Sequence, residues 1–358
     1  RSLIECVFLR ATLAEPGQCV DFEGADLTAA VLAEQNLAGA NLRGAKLNRA
    51  LLAKTDLRGA DLRGADLRRC VLNEAQMSGA DLSGHDLQLT MLVGCNLAGA
   101  SFEGARLDRT VLQKADLVGA HFTKASLSKV LFRGARLDGA TFDRASLTLV
   151  DFGEMDLSRL RLQGLSLTRC CFIESDMHDM DLRGCDFTDS NFTKCNLSGA
   201  NLEGAILFRA KLIETELSRA RLAGAKAKAA YMGDAKLRQT NLRGAMLRNA
   251  SFTAAAIEDA SFAACDLRES VWIDAAVTGS SFLEAKMNYA DLSSAVLSKC
   301  DFTGANLTHA NLHGVRQKDV TWSGATLAGT RLTDEKKLGA ETYRPPRPPD
   351  GPKTEASR

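Results

Sequence analysis

Hydrophobic residues return at every fifth position along most of this chain. Between Asn36 and Leu67 they are all leucine: Leu37, Leu42, Leu47, Leu52, Leu57, Leu62 and Leu67. Two positions before each of the last six stands a small residue, Ala40, Ala45, Ala50, Thr55, Ala60 or Ala65, and between the two lies a residue such as Asn41, Lys46, Asp56 or Asp61. The phase runs unbroken from Phe22 to Leu312, with Ala227 the one small occupant of a central position. Gln317 is the first polar occupant, and Trp322, Leu327 and Leu332 resume the pattern. A five-residue internal repeat organises the sequence.

That period suits neither regular element. On an α-helix each step of five drifts by about 140°, so the leucines would spiral around the surface. On one straight strand an odd period would send alternate leucines to opposite faces. A short extended segment followed by a corner keeps them all inside. The small residue and the leucine point inward, the residue between them points outward, and a pair such as Arg43-Gly44 or Arg58-Gly59 turns the chain. A right-angled corner would close a square coil every four repeats, although the spacing alone does not set that angle.

The units ADLRG, ANLRG and ADLSG resemble the pentapeptide-repeat family, and the resemblance covers nearly the whole chain. It implies an all-β fold, a right-handed four-sided parallel β-helix of about fifteen twenty-residue coils. The expected divisions are 1–21, an irregular end coil with a phase slip at Pro16-Gly17; 22–332, the β-helix; and 333–358, a short helical cap followed by a Pro-rich tail. Arg344 to Pro349 in that tail is a candidate polyproline ligand, with a plain disordered tail as the alternative.

A stride of twenty shows what each side of the coil carries. Phe102, Phe122 and Phe142 form one inner column, and Phe132, Phe152, Phe172 and Phe192 a second, which reads as core. Glycine recurs at corners such as Gly24, Gly44 and Gly64, and Gly39, Gly59 and Gly79. Glu34, Lys54 and Glu74, and later Glu174, Lys194 and Glu214, alternate in sign and predict vertical ion pairs. The small slot becomes large at Met155, Leu160, Leu165 and Met180, while Ala227 leaves a central position underfilled. Both departures are expected to distort the stack, by overpacking and by a void.

Composition narrows the functional classes. The net charge is +1 with a quarter of residues charged, and no apolar run approaches the ~20 residues of a membrane span. Of the ten cysteines, Cys6, Cys70, Cys95, Cys170, Cys185, Cys195, Cys265 and Cys300 take the small inward slot, none in zinc-finger spacing, so they read as filler. Cys19 and Cys171 are the two expected to react. This usage predicts a reducing compartment, the cytoplasm, with export by a dedicated secretion system as the alternative. His85 is inward and expected to be hydrogen-bonded; His121, His178, His309 and His313 project outward. No nucleophile, metal, phosphate-loop or dinucleotide motif is present, and the dispersed Asp and Asn suit backbone turns. The sequence therefore predicts no catalytic residue, no metal site, no cofactor and no small-molecule substrate.

Two binding roles remain. The resemblance extends to a quinolone-resistance branch whose rods mimic duplex DNA and bind type II topoisomerases, which demands an acidic surface. Residues 40–150 carry sixteen Lys/Arg against eleven Asp/Glu, the wrong sign. Nucleic-acid binding is not expected either, because the basic residues are interleaved with acids. The preferred role is a non-catalytic interaction or spacer scaffold, a long rigid surface without a cavity. Since the first residues are already in phase, the chain is expected to be the C-terminal part of a larger bacterial protein, in the secretion- or effector-associated group that the resemblance includes.

One column marks a candidate partner face. The outward residue is commonly Asp or Asn, but on one side it is Val31, Leu51, Val71, Met91, Val111 and Leu131, before turning to Asp151 and Cys171. Arg49, Arg69, Arg109 and Lys129 line the adjacent corner. At ~4.8 Å per coil the strip would be about 25 Å long and serve a protein partner or a homodimer. The competing reading is β-propensity alone.

Overall fold

A five-residue period demands a corner in every repeat, and the backbone shows it. The computed structural model describes Leu3, Cys6, Val7, residues 20–336 and Leu338; the phase-slip loop, Cys19 and the Pro-rich tail lie outside them. In the repeat around Leu42, the Ala45 N–H donates to the Leu42 carbonyl at 3.0 Å and Gly44 sits at φ 61°. This is a β-turn whose third residue needs positive φ, the reason Gly recurs there. Where Gly is absent the conformation persists, as in Glu34 at φ 60° and Lys54 at φ 59°. Non-glycine residues accept it at a cost of roughly 1–2 kcal/mol each, which the surrounding stack must offset.

Extended segments between corners pair in parallel with residues twenty further on. The stride holds from Asp21↔Asn41 to Asn311↔Arg331, along four columns that begin at Asp21, Asp26, Val31 and Asn36. Most pairings are single bridges. Longer ladders are β1 (Arg106–Asp108), β2 (Ser126–Ser128), β3 (Ser146–Thr148) and β4 (Ser166–Thr168), and on another side β5 (Lys236–Arg238), β6 (Ala256–Glu258), β7 (Ala276–Thr278), β8 (Val296–Ser298) and β9 (Arg316–Lys318). The result is a four-sided parallel β-solenoid. At its end the Leu338 N–H donates to the Asp334 carbonyl at 2.9 Å, one helical turn where the sequence places a cap.

The core is the column of central residues with the small slots between them. Phe102 and Phe122 stack at 4.7 Å and 6°, and Phe122 meets Phe132 edge-on at 5.8 Å, so the two phenylalanine columns interlock. Such pairs add about 0.5–1.5 kcal/mol beyond buried area. Polar occupants of the small slot reach the coil beneath: Thr55 Oγ1 donates to the Leu32 carbonyl at 2.9 Å, and the Cys70 thiol to the Leu47 carbonyl at 2.8 Å. The cysteines are thus donors as well as filler.

Slot size controls the ladder. Among the described residues, no bridge joins Arg136 to Asp156, Thr141 to Arg161, or Arg161 to Asp181. These joints lie beside Met155 and between Leu160 and Leu165; the ladder after Leu165 is kept, with Ser166 paired to Ser146 and bridged to Asp186. A second interruption, at Asp61/Asp81 and Asp66/Asp86, adjoins His85, whose imidazole occupies a small slot with Nε2 at 2.8 Å from the Leu62 carbonyl. Ala227 behaves differently from expectation. Its ladder is intact, with Lys226 bridged to both Ile206 and Met246. An extra methylene must displace its neighbours, whereas a missing one only removes contacts. The openings also correct the expectation of a rod without cavities.

Outward Asp and Asn cap the corner. The Arg43 N–H donates to Asn41 Oδ1 at 3.3 Å, and the Arg63 N–H to Asp61 Oδ1 at 3.2 Å. In several repeats an arginine two residues on also forks onto the same carboxylate, as Arg63 Nε and Nη2 do on Asp61 at 2.8 and 2.5 Å. Ion pairing within the repeat is therefore common. Of the expected vertical series, Lys194–Glu174 forms at 4.0 Å, but no pair joins Lys54 to Glu34 or Glu74 among the described residues. The backbone does not decide this, since Glu174 and Lys194 pair at φ 56° and 59° on the same corner.

These forks set an acid limit. The Arg63 hydrogen bonds hold the Asp61 carboxyl down at about 2, and Asp56, Asp66, Asp181 and Asp266 are lowered by the same kind of arginine bond. Their unfolded value is about 3.9. Because the folded values are lower, this stabilisation is complete above that pH and is lost as pH falls toward 2. Thermal midpoints should be flat from pH 7 to 5 and drop between roughly 4 and 2; circular dichroism melts across that range check it.

Candidate interaction face

Val31, Leu51, Val71, Met91, Val111 and Leu131 occupy one side of the solenoid in consecutive coils, each bridged to the next. The ladder fixes them on both flanks: the Leu51 N–H donates to Ala30 O at 2.9 Å, and the Leu51 carbonyl accepts from Leu32 N–H at 2.8 Å. Val7 bridges Val31 and is 63% exposed, which extends the strip by one coil. The sequence stride missed Val7 because it lies twenty-four residues from Val31. Leu51 and Met91 are exposed, at 41% and 38%, while Val31, Val71, Val111 and Leu131 are half-buried between their neighbours. The strip is a shallow ridge with two prominent side chains, not the uniformly exposed row that alternation alone suggests.

The flanks add residues the column reading did not contain. Leu89 takes the corner position beside Met91, at φ 59° and half-buried, and Val93 lies on the opposite corner. Both are displaced by two positions from the column, so a stride of twenty through Met91 passes them by. Arg49, Arg69, Arg109 and Lys129 hold the other corner positions at φ 63°, 61°, 55° and 56°. All four are exposed, and none has an ion pair within 4.0 Å among the described residues. Unpaired cations on a conformation that favours glycine thus border the apolar ridge.

The ridge gives up a local stabilisation available elsewhere. Asp56 Oδ1 accepts from Arg58 N–H at 3.1 Å, and Asp116 Oδ1 from Val118 N–H at 3.2 Å. Val, Leu and Met cannot do this. Columns rich in Asp and Asn keep the same stride, so apolar side chains are not required for the ladder. At Asp151 the cap returns, with Gly153 N–H donating to Asp151 Oδ1 at 2.9 Å.

No group suited to chemistry gathers on this face. The described residues contain no cluster of His, Cys, Asp and Glu that could hold a metal ion. Burial pushes the Cys70, Cys95, Cys170 and Cys265 thiols up to about 12. Cys171 lies on the outward column as expected, but it is half-buried, and burial followed by the nearby Asp151 raises its thiol. It is accessible without being activated, which corrects its expected reactivity. His85 is hydrogen-bonded as expected, its Nδ1 at 3.2 Å from the Ser83 carbonyl. His313 is buried, against the expectation that it projects outward. No helix among the described residues is long and apolar enough to cross a membrane.

A rod of stacked five-residue corners with one apolar side defines a repeat solenoid. The family model for pentapeptide repeats matches residues 18–52, 51–88, 92–128 and further overlapping segments up to 285–316, and the chain belongs to the pentapeptide-repeat family. Similar solved structures include a trypsin-treated variant of QnrB1, a plasmid-mediated fluoroquinolone resistance protein, at 24% identity and TM-score 0.39, covering 54% of this chain and 94% of that one. HetL, involved in heterocyst differentiation regulation in the cyanobacterium Nostoc sp. strain PCC 7120, is 21% identical with TM-score 0.21, covering 88% and 91%. A comparison with curated proteins returned no match. No functional conclusion follows from likenesses of this extent.

Thiol titration checks the site chemistry. With an aromatic disulfide at pH 7.5, Cys171→Ser should remove one slowly reacting thiol from the native rod. Cys70→Ser, Cys95→Ser and Cys265→Ser should remove none until the protein is unfolded.

Proposed function

We propose that this chain is a non-catalytic binding scaffold that holds a protein partner along the ridge from Val7 to Leu131. The observation that carries the reading is the unbroken stack of outward apolar residues beside unpaired Arg49, Arg69, Arg109 and Lys129. Apolar contact supplies the driving force and the cations supply orientation and encounter rate. The complementary partner is a protein segment with an apolar face and an acidic border. A second copy is less suited, since antiparallel pairing of two ridges would set the basic corner against itself. The free cysteines among the described residues fit a reducing, cytoplasmic setting.

Substituting Leu51, Met91 and Leu131 with Asp tests it. A photo-crosslinking residue at position 51 should capture a partner that the same residue at position 241, on another side, does not. The purified partner should bind the parent rod more weakly as salt rises, and at least tenfold more weakly in the triple variant, with the circular dichroism spectrum unchanged. Equal capture from both positions, no capture, salt-independent binding or a triple variant that binds like the parent would each count against the proposal. Sedimentation showing that the ridge joins two copies of the chain would replace the partner named here.

A further inference from the structure

The breach in the ladder beside Leu160 and Leu165 has a chemistry of its own, apart from the ridge. One coil earlier the Phe122 N–H donates to the Thr141 carbonyl at 2.8 Å, the Lys124 N–H to the Asp143 carbonyl at 2.8 Å, and the Thr141 N–H to the Ala120 carbonyl at 3.0 Å. Across the breach the corresponding donors are the Phe142, Arg144 and Arg161 amides, and none meets an acceptor among the described residues. Donors left open in this way must find water or a ligand. Arg144 and Arg161, which carry two of these donors, line a cleft of about 750 Å³ together with Lys124, Asp143, Gln163 and Leu165.

The cations of this cleft are largely uncommitted. Lys124 reaches Glu103 at 3.2 Å, but Arg144 and Arg161 have no ion pair within 4.0 Å among the described residues. Lys124 and Arg144 stack at the same corner of successive coils, at φ 57° and 58°. Asp143 is the one carboxylate in the lining. The clefts beside the other ladder breaks differ. Beside Met155, Arg136 and Arg159 face Asp138, Glu154 and Asp156, and beside His85 the Arg68 guanidinium is already forked onto Asp66. Of these clefts among the described residues, the one at Arg144 and Arg161 combines open backbone amides with two guanidinium groups that have no ion pair.

We propose that this cleft binds a small phosphate-bearing ligand of diphosphate size. Open backbone amides can donate to an anion, and guanidinium groups match phosphate oxygens two at a time. Of the two leucines, Leu160 is outside the lining, and Leu165, within it, offers the ligand no polar contact. By overfilling their slots they hold the coils apart and keep the amides free. The rod is therefore expected to carry a ligand site that the five-residue pattern alone gave no reason to expect.

Calorimetry with inorganic pyrophosphate at physiological salt tests both parts. The parent rod should bind one equivalent saturably. Arg144→Gln with Arg161→Gln should weaken binding at least tenfold. Leu160→Ala with Leu165→Ala keeps both arginines but restores small side chains to the slots, and it should weaken binding as much by closing the breach. Circular dichroism confirms that each double variant stays folded. No saturable binding up to millimolar pyrophosphate, unchanged affinity in the arginine variant, or full affinity in the closed variant would overturn the proposal.

Discussion

Every five-residue repeat of this rod must fit one side chain into the space between its corner and the coil beneath. That slot accepts Ala, Ser, Thr or Cys, and its polar occupants donate to the carbonyl of the coil below, as Thr55 and Cys70 do. Its size sets the distance between coils and so decides whether the backbone hydrogen bonds close. Protein interiors tolerate little excess volume, and overpacking displaces backbone where underpacking does not. The intact ladder at Ala227 and the broken one between Leu160 and Leu165 follow from that single asymmetry.

The surface follows from the same geometry. Each coil presents one outward residue per side, held at a fixed spacing by the ladder, so short-range chemistry repeats along the rod. Where the residue is Asp or Asn it closes a local turn. Where it is Val, Leu or Met it cannot, and the ridge from Val7 to Leu131 arises. Because the corners force positive φ on whatever residue they carry, Arg49, Arg69, Arg109 and Lys129 are displayed beside that ridge in a conformation glycine would adopt more easily. The rod is a rigid ruler on which apolar, charged and open-backbone features occupy set positions.

Much of this was legible in the sequence because the period is short and the slot is selective. Leucine at every fifth residue and the large occupants Met155, Leu160, Leu165 and Met180 announced the solenoid and its fault. The six-residue apolar column was visible for the same reason. Val7 was hidden by the phase slip, and Leu89 and Val93 by their corner positions. The failure of the Glu34–Lys54–Glu74 series was hidden because sequence order does not fix the side-chain rotamers at a corner whose backbone is the same where Glu174 and Lys194 pair. His313 was hidden by a fold end that periodicity treats like any other coil. The cleft at Arg144 and Arg161 was out of reach, since it depends on which hydrogen bonds fail to close.

The central claim is that slot volume governs the ladder, and native-state hydrogen exchange tests it most directly. The Phe142, Arg144 and Arg161 amides should exchange far faster than the Phe122, Lys124 and His121 amides one or two coils earlier. In a Leu160→Ala, Leu165→Ala variant they should become as slow as those counterparts. Protection at Phe142, Arg144 and Arg161 in the parent equal to that at Phe122, Lys124 and His121, or fast exchange that persists in the variant, would contradict the account.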